Sequence, residues 1–164
     1  MGRWRAKAAA AAGLLWAAAC TGAFAAEIGA VSVSAVVVSK NNCKFSAKSW
    51  SINVTNDGTA IDPSLATTAT GSFQATFSCN GASATVSYVL SANDGLQPSG
   101  GMRRMRHATL AEYLPYSLSI SPASGSAPKA SNVNVTVTAS VVQADFQNAA
   151  AGTYSDTVVM TVAP

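Results

Sequence analysis

Short segments in which apolar and polar residues alternate run through most of this chain, and they constrain its fold more than any other feature. Val86, Tyr88 and Leu90 mark one such segment, and residues 132–143 form another. Alternation with a period of two places successive side chains on opposite faces of a β-strand. Clusters of Gly, Asn, Asp and Pro separate the segments, as turns do in sandwiches and barrels. The pattern therefore predicts an all-β domain.

We predict strands at the alternating segments and loops at the clusters between them. The predicted strands cover residues 30–39, 50–55, 71–79, 84–92, 103–109, 113–120, 132–143 and 154–162. Residues 121–131 are rich in Ser, Pro, Ala and Gly, so we predict a loop there. A single helical turn, or equally a loop, is predicted near residues 145–150.

The N-terminus has the three parts of a secretory signal peptide. Basic residues come first, at Arg3, Arg5 and Lys7, and an apolar run follows at residues 8–19. A small-x-small cleavage site then ends at Ala25. The apolar run is shorter than the roughly 20 residues that span a bilayer. We therefore predict export and cleavage after Ala25.

Cys20 raises a second possibility, a lipidated N-terminus. A lipoprotein signal prefers a Leu-like residue three positions before the cysteine, where this chain has Ala17. We expect Cys20 to leave with the signal peptide. The predicted organisation is a signal peptide at residues 1–25, an N-terminal extension at 26–40 and a folded domain at 41–164.

Removal of the signal peptide changes the charge balance. The formal charge of +3 belongs to the whole chain and comes from three basic residues of the signal peptide. The remaining chain has as many basic as acidic residues, so its charge gives no reason to expect nucleic acid or an anionic membrane as a partner.

Cys43 and Cys79 are the two cysteines beyond the signal peptide. An even pair in an exported chain predicts one disulfide. It would close a loop of about 36 residues and stabilise the fold by about 4 kcal/mol in the chain-entropy model. A metal site is not predicted, because the chain has one His and no further Cys to complete it. We expect no cofactor.

The segment before Cys43 is apolar on one face. Val31, Val33, Ala35 and Val37 share this face, and Ser32 and Ser34 lie on the other. Such a strand pairs within its own domain or inserts into another molecule. Burial of the four side chains would contribute roughly 5–10 kcal/mol before the cost of ordering. The last predicted strand lies close to the chain end, so we expect it to lack a neighbour in the sandwich.

His107 is the single histidine, and no nucleophile-elbow motif accompanies it. We therefore predict no catalytic residue and no enzyme activity, and we expect His107 to be a solvated hairpin residue. Met102, Met105 and His107 together suggest a Cu(I) site. Met102 lies on the other strand face, however, which favours core methionines beside a surface histidine.

Two further groups of residues each allow two interpretations. The run of Arg103, Arg104 and Arg106 suits an anionic glycan or an acidic partner, although a run of this kind is more often a solvated rim. Tyr154 and Asp156 suit recognition by a partner protein, although a tyrosine bonded to a loop and an aspartate that holds a turn is the favoured interpretation.

The closing segment carries a motif with Gly152, Tyr154, Asp156 and Thr157, followed by alternating Val and Thr. Together with residues 101–105, residues 114–118 and the two cysteines, this segment resembles the spore coat protein U domain family, which includes subunits of archaic chaperone–usher pili. The likeness spans residues 30–164. The chain lacks the aromatic-Gly element that many members have after the hairpin.

The resemblance implies an incomplete immunoglobulin-like β-sandwich that is completed by donor-strand exchange. Val31, Val33, Ala35 and Val37 would enter the groove of the next subunit. The implied partners are a periplasmic chaperone, an outer-membrane usher and identical or related pilin subunits, with no small-molecule substrate. The implied product is a cell-surface fibre that supports adhesion or biofilm formation. The alternative is a self-contained secreted carbohydrate-binding, coat or matrix protein that uses the arginine hairpin or exposed aromatic residues.

Overall fold

The computed structural model of the chain describes residues 41–164, and the folded part is almost entirely β-structure. Within this range the strands are β1 Asn42–Phe45, β2 Ala69–Asn80, β3 Thr85–Ala92, β4 Arg103–His107, β5 Tyr113–Ser121, β6 Ser124–Pro128, β7 Asn132–Val141, β8 Tyr154–Ser155 and β9 Met160–Ala163. A single helical turn, α1 Gln143–Phe146, follows β7. No helix in this part of the chain is long and apolar enough to cross a bilayer.

The strands form two antiparallel sheets. The larger sheet has six strands in the order β1-β2-β7-β5-β4-β8, and the smaller has three in the order β6-β3-β9. The longest ladder joins β2 to β7, where Phe73 lies opposite Val137 and Phe77 opposite Val133. Alternation along both strands places these apolar side chains on one face and Ser, Thr, Asn and Gln on the other.

One half of the large sheet packs against the small sheet. Phe77 and Val135 of the large sheet share a buried cluster with Val86, Tyr88 and other residues of the small sheet. The rings of Phe77 and Tyr88 meet edge to face across the two sheets, with their centroids 4.9 Å apart. This is the arrangement of a β-sandwich, and it confirms the predicted fold class.

The other half of the large sheet is covered by irregular chain. Leu114, Tyr116, Val141 and Phe146 form a second buried cluster, and half-buried apolar residues of the segments 52–61 and 149–158 pack on it. The three strands of the small sheet therefore cover one part of the inner face of the large sheet. The irregular segments cover the other part only incompletely.

Four local predictions were wrong. Residues 50–54 are extended but join no ladder, and residue 55 makes one isolated bridge, to Thr70. The stretch 121–131 is not a loop, because it contains β6, whose Ala127 is buried against Val86. The closing segment forms two short strands, β8 and β9, rather than one. The helical turn begins at Gln143, before the predicted range. The signal peptide and residues 26–40 lie outside the described range.

Candidate binding cleft

An open cleft runs along the half of the large sheet that the small sheet does not cover. Its first part has a volume of about 750 Å³ and lies between residues 44–52 on one side and residues 154–160 on the other. A second part of about 500 Å³ continues toward residues 59–63 and 146–153. Ile52, Met105 and Tyr154 line both parts, so the two form one continuous groove.

The floor of the cleft is apolar and is built by the large sheet. Phe73 of β2, Val137 of β7 and Leu118 of β5 line the first part. The strand register places Ala139 between Leu118 and Gly71. Ala139 lines the first part of the cleft, and its small side chain leaves space above the sheet there.

Gly71 also permits the close approach of one flanking segment. A Cβ atom at this position would meet the carbonyl oxygen of Asn53 and the side chain of Ile52. The segment that carries Ile52 therefore lies directly on the backbone of β2, which requires glycine there.

Both flanks of the cleft have backbone that no described strand pairs. On one side, the backbone ladder stops at Ser46, which donates to Thr76, and resumes at Thr55, with no backbone hydrogen bonds at residues 47–54 in the described chain. On the other side, β9 pairs with β3 along one edge and ends its sheet. Backbone groups away from water need partners, and no strand of residues 41–164 pairs either of these two edges.

The side chains of the two flanks alternate in burial. Trp50, Ile52 and Val54 are half-buried and the residues between them are exposed. The same alternation runs through Tyr154, Asp156, Val158, Met160 and Val162. Between the two sheets, inward residues such as Phe77 and Val135 are almost fully buried, at 0% and 1% exposure. The flanks thus have the side-chain pattern of sandwich strands without the burial.

Trp50 anchors one flank through aromatic contacts. Its ring stacks on Phe73 with centroids 5.4 Å apart and meets the edge of Phe45 at 5.1 Å. Phe45 in turn contacts Phe77 of the core at 5.9 Å. These contacts join the flank to the core and set Trp50 at the wall of the cleft.

Asp156 holds the other flank. Its carboxylate accepts a hydrogen bond of 2.6 Å from the Tyr116 hydroxyl, and it accepts the backbone N–H groups of Leu96 and Thr157 at 2.8 Å. Burial, followed by the hydrogen bond to Asp156 and its charge, raises the pKa of Tyr116 far above its ordinary value. Asp156 therefore ties the closing segment to β5 and to the loop after β3.

His107 and Tyr154 form a second attachment. His107 is 5% exposed, and its Nδ1 atom accepts the backbone N–H groups of Thr109 and Leu110 at 3.1 and 3.0 Å. Nε2 consequently carries the proton and donates to the Ala151 carbonyl at 3.2 Å. Gly152 passes against the imidazole, where a Cβ atom would collide with the ring. The expectation of a solvated His107 was wrong, because the ring closes the hairpin onto the C-terminal segment.

Tyr154 completes this attachment. Its ring meets the edge of His107 with centroids 4.9 Å apart, and its hydroxyl lies 3.0 Å from the Ala150 carbonyl and 3.4 Å from the Glu112 carboxylate. Burial, and then the charge of Glu112, raises the pKa of Tyr154. The closing segment is thus fixed at Tyr154 and at Asp156, and the cleft runs beside it.

The comparisons with known proteins agree with the motif in this closing segment. The Spore Coat Protein U domain model matches residues 27–161, which is most of the chain. The chain belongs to the spore coat protein U domain family. This confirms the resemblance from the sequence. No curated protein matches the chain.

Two solved structures are similar to this spore coat U domain. One is a chain of the CsuC–CsuE chaperone–tip adhesion subunit pre-assembly complex from archaic chaperone–usher Csu pili of Acinetobacter baumannii, with 21% identity, a TM-score of 0.47, and coverage of 74% of this chain and 39% of that one. The other comes from a chaperone–tip adhesin complex of CFA/I fimbriae biogenesis, with 14% identity, a TM-score of 0.44, and coverage of 76% and 41%. The domain spans about two fifths of both solved chains.

The predicted disulfide of the spore coat U domain is confirmed. Cys43 of β1 and Cys79 of β2 lie opposite each other in the ladder and are bonded. The bond attaches the edge strand β1, which leads into the cleft flank at residues 47–54, to its neighbour β2.

The arginine run of the spore coat U domain does not form one free patch. Arg103 donates to the carbonyls of Ala92 and Asn93 at 3.0 and 2.8 Å, and Arg104 donates to Gln97 at 3.0 Å. Both side chains therefore hold the loop between β3 and β4, so a solvated rim was the wrong interpretation for them. Arg106 is exposed, as that interpretation predicts.

The three candidate copper ligands do not form a site, because His107 has other hydrogen-bond partners and the two methionines lie in different places. Both ring nitrogens of His107 have hydrogen-bond partners, and Met105 lines the cleft while Met102 is 52% exposed. In residues 41–164, no group of three His, Cys, Asp or Glu side chains could hold a metal ion.

The sequence motif pointed to one side of the cleft and missed the other. Tyr154 and Asp156 lie in the flank, and Gly152 and Thr157 lie beside them. Trp50, Phe73 and the remaining floor residues were not predicted as site residues. Their signal was the alternation at residues 50–54, which has the pattern of a strand. Val31, Val33, Ala35 and Val37 lie outside the described range, so their role stays a prediction.

Proposed function

We propose that this spore coat U domain is a structural subunit of a secreted surface fibre, a pilus assembled by donor-strand exchange. The observation that carries the proposal is the apolar cleft between two flanks whose backbone no strand of residues 41–164 pairs, at residues 47–54 and at the outer edge of β9. A strand between these flanks would give partners to both edges and would bury the half-exposed row on each side.

The N-terminal extension of another copy has the side chains that such a strand needs. Val31, Val33, Ala35 and Val37 share one face of an extended strand, and the floor of the cleft offers Phe73, Leu118 and other apolar side chains. The apolar face of the strand would lie on the floor and its serines would face solvent. Burial of the four side chains contributes roughly 5–10 kcal/mol before the entropy of ordering is subtracted.

The open cleft also explains the need for partners before assembly. Its half-exposed aromatic and aliphatic side chains and its free edges favour aggregation when nothing covers them. A periplasmic chaperone would cover the cleft until an outer-membrane usher brings the next subunit. The resulting fibre of identical or related subunits would lie on the cell surface and support adhesion or biofilm formation.

Deletion of residues 26–37 tests the proposal. The deleted chain should keep its cleft and still be captured by the chaperone, but it should form no polymer. Normal fibres from the deleted chain would contradict the proposal.

A matched pair of substitutions separates strand insertion from general effects of charge. Val33→Asp places a carboxylate on the face that meets the cleft, whereas Ser34→Asp places the same charge on the face toward solvent. We expect Val33→Asp to abolish polymers and Ser34→Asp to preserve them. Equal effects of the two would contradict insertion of this face.

A further inference from the structure

Two of the methionines of this chain line the cleft. Met105 of β4 borders both parts of the groove, and Met160 of β9 borders the first part. Both are half-buried. The chain has four methionines, and besides Met1 the remaining one is Met102, which lies outside the cleft with 52% of its surface exposed.

The two cleft methionines belong to different apolar clusters. Met160 packs against the cluster between the two sheets, and Met105 packs against the cluster of Leu114, Tyr116 and Phe146. Their thioethers therefore contribute apolar surface at separate points along the groove. A strand that fills the groove would contact both.

We propose that Met105 and Met160 form an oxidation-sensitive pair that controls whether the cleft can accept a strand. This inference rests on the proposed function. A peroxide such as hydrogen peroxide would enter the open cleft, and a sulfur lone pair would attack one peroxide oxygen. The O–O bond breaks, the sulfur is oxidised to the sulfoxide, and the peroxide is reduced to water.

The sulfoxide interferes with the strand because it is polar. It would place an S=O dipole against the apolar side chains of an inserted strand, where no donor from that face is available. The effect is reciprocal, since a strand already in the cleft covers both sulfurs and protects them. Oxidants would therefore act on the free subunit and spare the assembled one.

Site-resolved oxidation tests the shielding. The exported chain is separated into unassembled and polymeric fractions, treated with hydrogen peroxide, and analysed by peptide mass spectrometry. We expect oxidation at Met105 and Met160 to be about tenfold slower in the polymer, because accessibility governs the reaction. Met102 should react equally in both fractions. Equal rates at all three sites in both fractions would overturn the inference.

Polymer formation after oxidation tests whether the two methionines control strand insertion. The unassembled chain is oxidised, the peroxide is removed with catalase, and the rate of polymer formation is measured. We expect a loss of about tenfold or more. The double variant Met105→Leu with Met160→Leu should keep its rate after peroxide, because Leu is close to Met in volume and cannot be oxidised there. Met102→Leu, the matched control, should remain sensitive.

The outcomes separate the inference from the proposed function. If the untreated chain forms no polymer, the proposed function is wrong and the inference falls with it. If the untreated chain forms polymers and oxidation of both sulfurs leaves their rate unchanged, the inference is wrong and the proposed function stands.

Discussion

The Tyr116 hydroxyl donates a hydrogen bond of 2.6 Å to the Asp156 carboxylate. This bond joins the centre of the large sheet to the segment that forms one flank of the cleft. Asp156 also accepts two backbone N–H groups, from Leu96 and Thr157, so the carboxylate has partners on three sides. The position of the flank, and with it the width of the cleft, depends on this contact.

Substitution Tyr116→Phe should lower the free energy of unfolding by about 2 kcal/mol at neutral pH, because a hydrogen bond to a charged group is lost. Urea denaturation of the two proteins measures this difference. Ser117→Ala is the control, since its side chain faces solvent on the same strand. An equal loss in both variants would contradict a specific role of the bond.

The burial of Tyr116, together with its bond to Asp156, predicts a loss of stability in alkaline solution. The folded protein raises the pKa of Tyr116, so it favours the neutral phenol more than the unfolded chain does. The resulting stabilisation is present below the ordinary tyrosine pKa of about 10 and is lost as the pH rises beyond it. Urea denaturation is measured at intervals of about one pH unit, from about pH 8 to about pH 11. The free energy of unfolding should decline more steeply with pH in the native protein than in Tyr116→Phe. Parallel declines would contradict this account.

Gly71→Ala should displace the flank at residues 47–54. The added methyl group meets the Asn53 carbonyl and Ile52, so this segment must move away from β2. We expect affinity for a peptide of residues 26–40 to fall about tenfold in a chain that lacks residues 26–37. Trp50, the tryptophan of the described chain, lines the cleft, so its fluorescence reports binding.

Ser72→Ala provides the control for Gly71→Ala, because Ser72 is adjacent in β2 and exposed on the outer face. It should bind the peptide as the unsubstituted chain does. Unchanged affinity in Gly71→Ala would show that the position of this flank does not matter for binding.

Removal of the disulfide should destabilise the fold without closing the cleft. In the double variant Cys43→Ala with Cys79→Ala, the free energy of unfolding should fall by about 4 kcal/mol, because the unfolded chain regains the entropy of the loop between the two positions. Thermal and urea denaturation measure the change. A difference below about 1 kcal/mol would contradict the chain-entropy account.

Substitutions at His107 and Gly152 should have coupled effects on the free energy of unfolding. His107→Ala leaves the backbone N–H groups of Thr109 and Leu110 without their acceptor and should cost about 3 kcal/mol. Gly152→Ala pushes a methyl group into the imidazole and should cost about 2 kcal/mol. In the His107→Ala background the part of this cost that comes from the collision should disappear, and the strain of the positive φ of 155° at residue 152 should remain. Additive effects in this double-mutant cycle would contradict direct contact between the two residues.

The sequence predicted the sandwich well because alternation is a local property. Phe77, Val86 and Val135 alternate with polar residues and become buried where two sheets meet. The disulfide followed from the presence of two cysteines in an exported chain. The family followed from the closing motif.

The pairing of strands could not be predicted from the sequence, because it depends on residues that are far apart in the chain. Residues 50–54 have the alternation of a strand, yet they pair with no strand of residues 41–164. The stretch at 121–131 has the composition of a loop, yet its Ala127 fits against Val86 and the segment pairs with β3. His107 has an ordinary hairpin context, and its burial results from Gly152 in a distant segment.

Hydrogen exchange at the two flanks tests the central claim most directly. Exchange of the backbone amides at residues 47–54 and 156–163 is measured by mass spectrometry in the unassembled subunit and in the polymer. If a strand from another copy enters the cleft, amides in both segments should exchange at least about tenfold more slowly after assembly. Polymers in which both segments exchange as fast as in the free subunit would show that the cleft is not the joint.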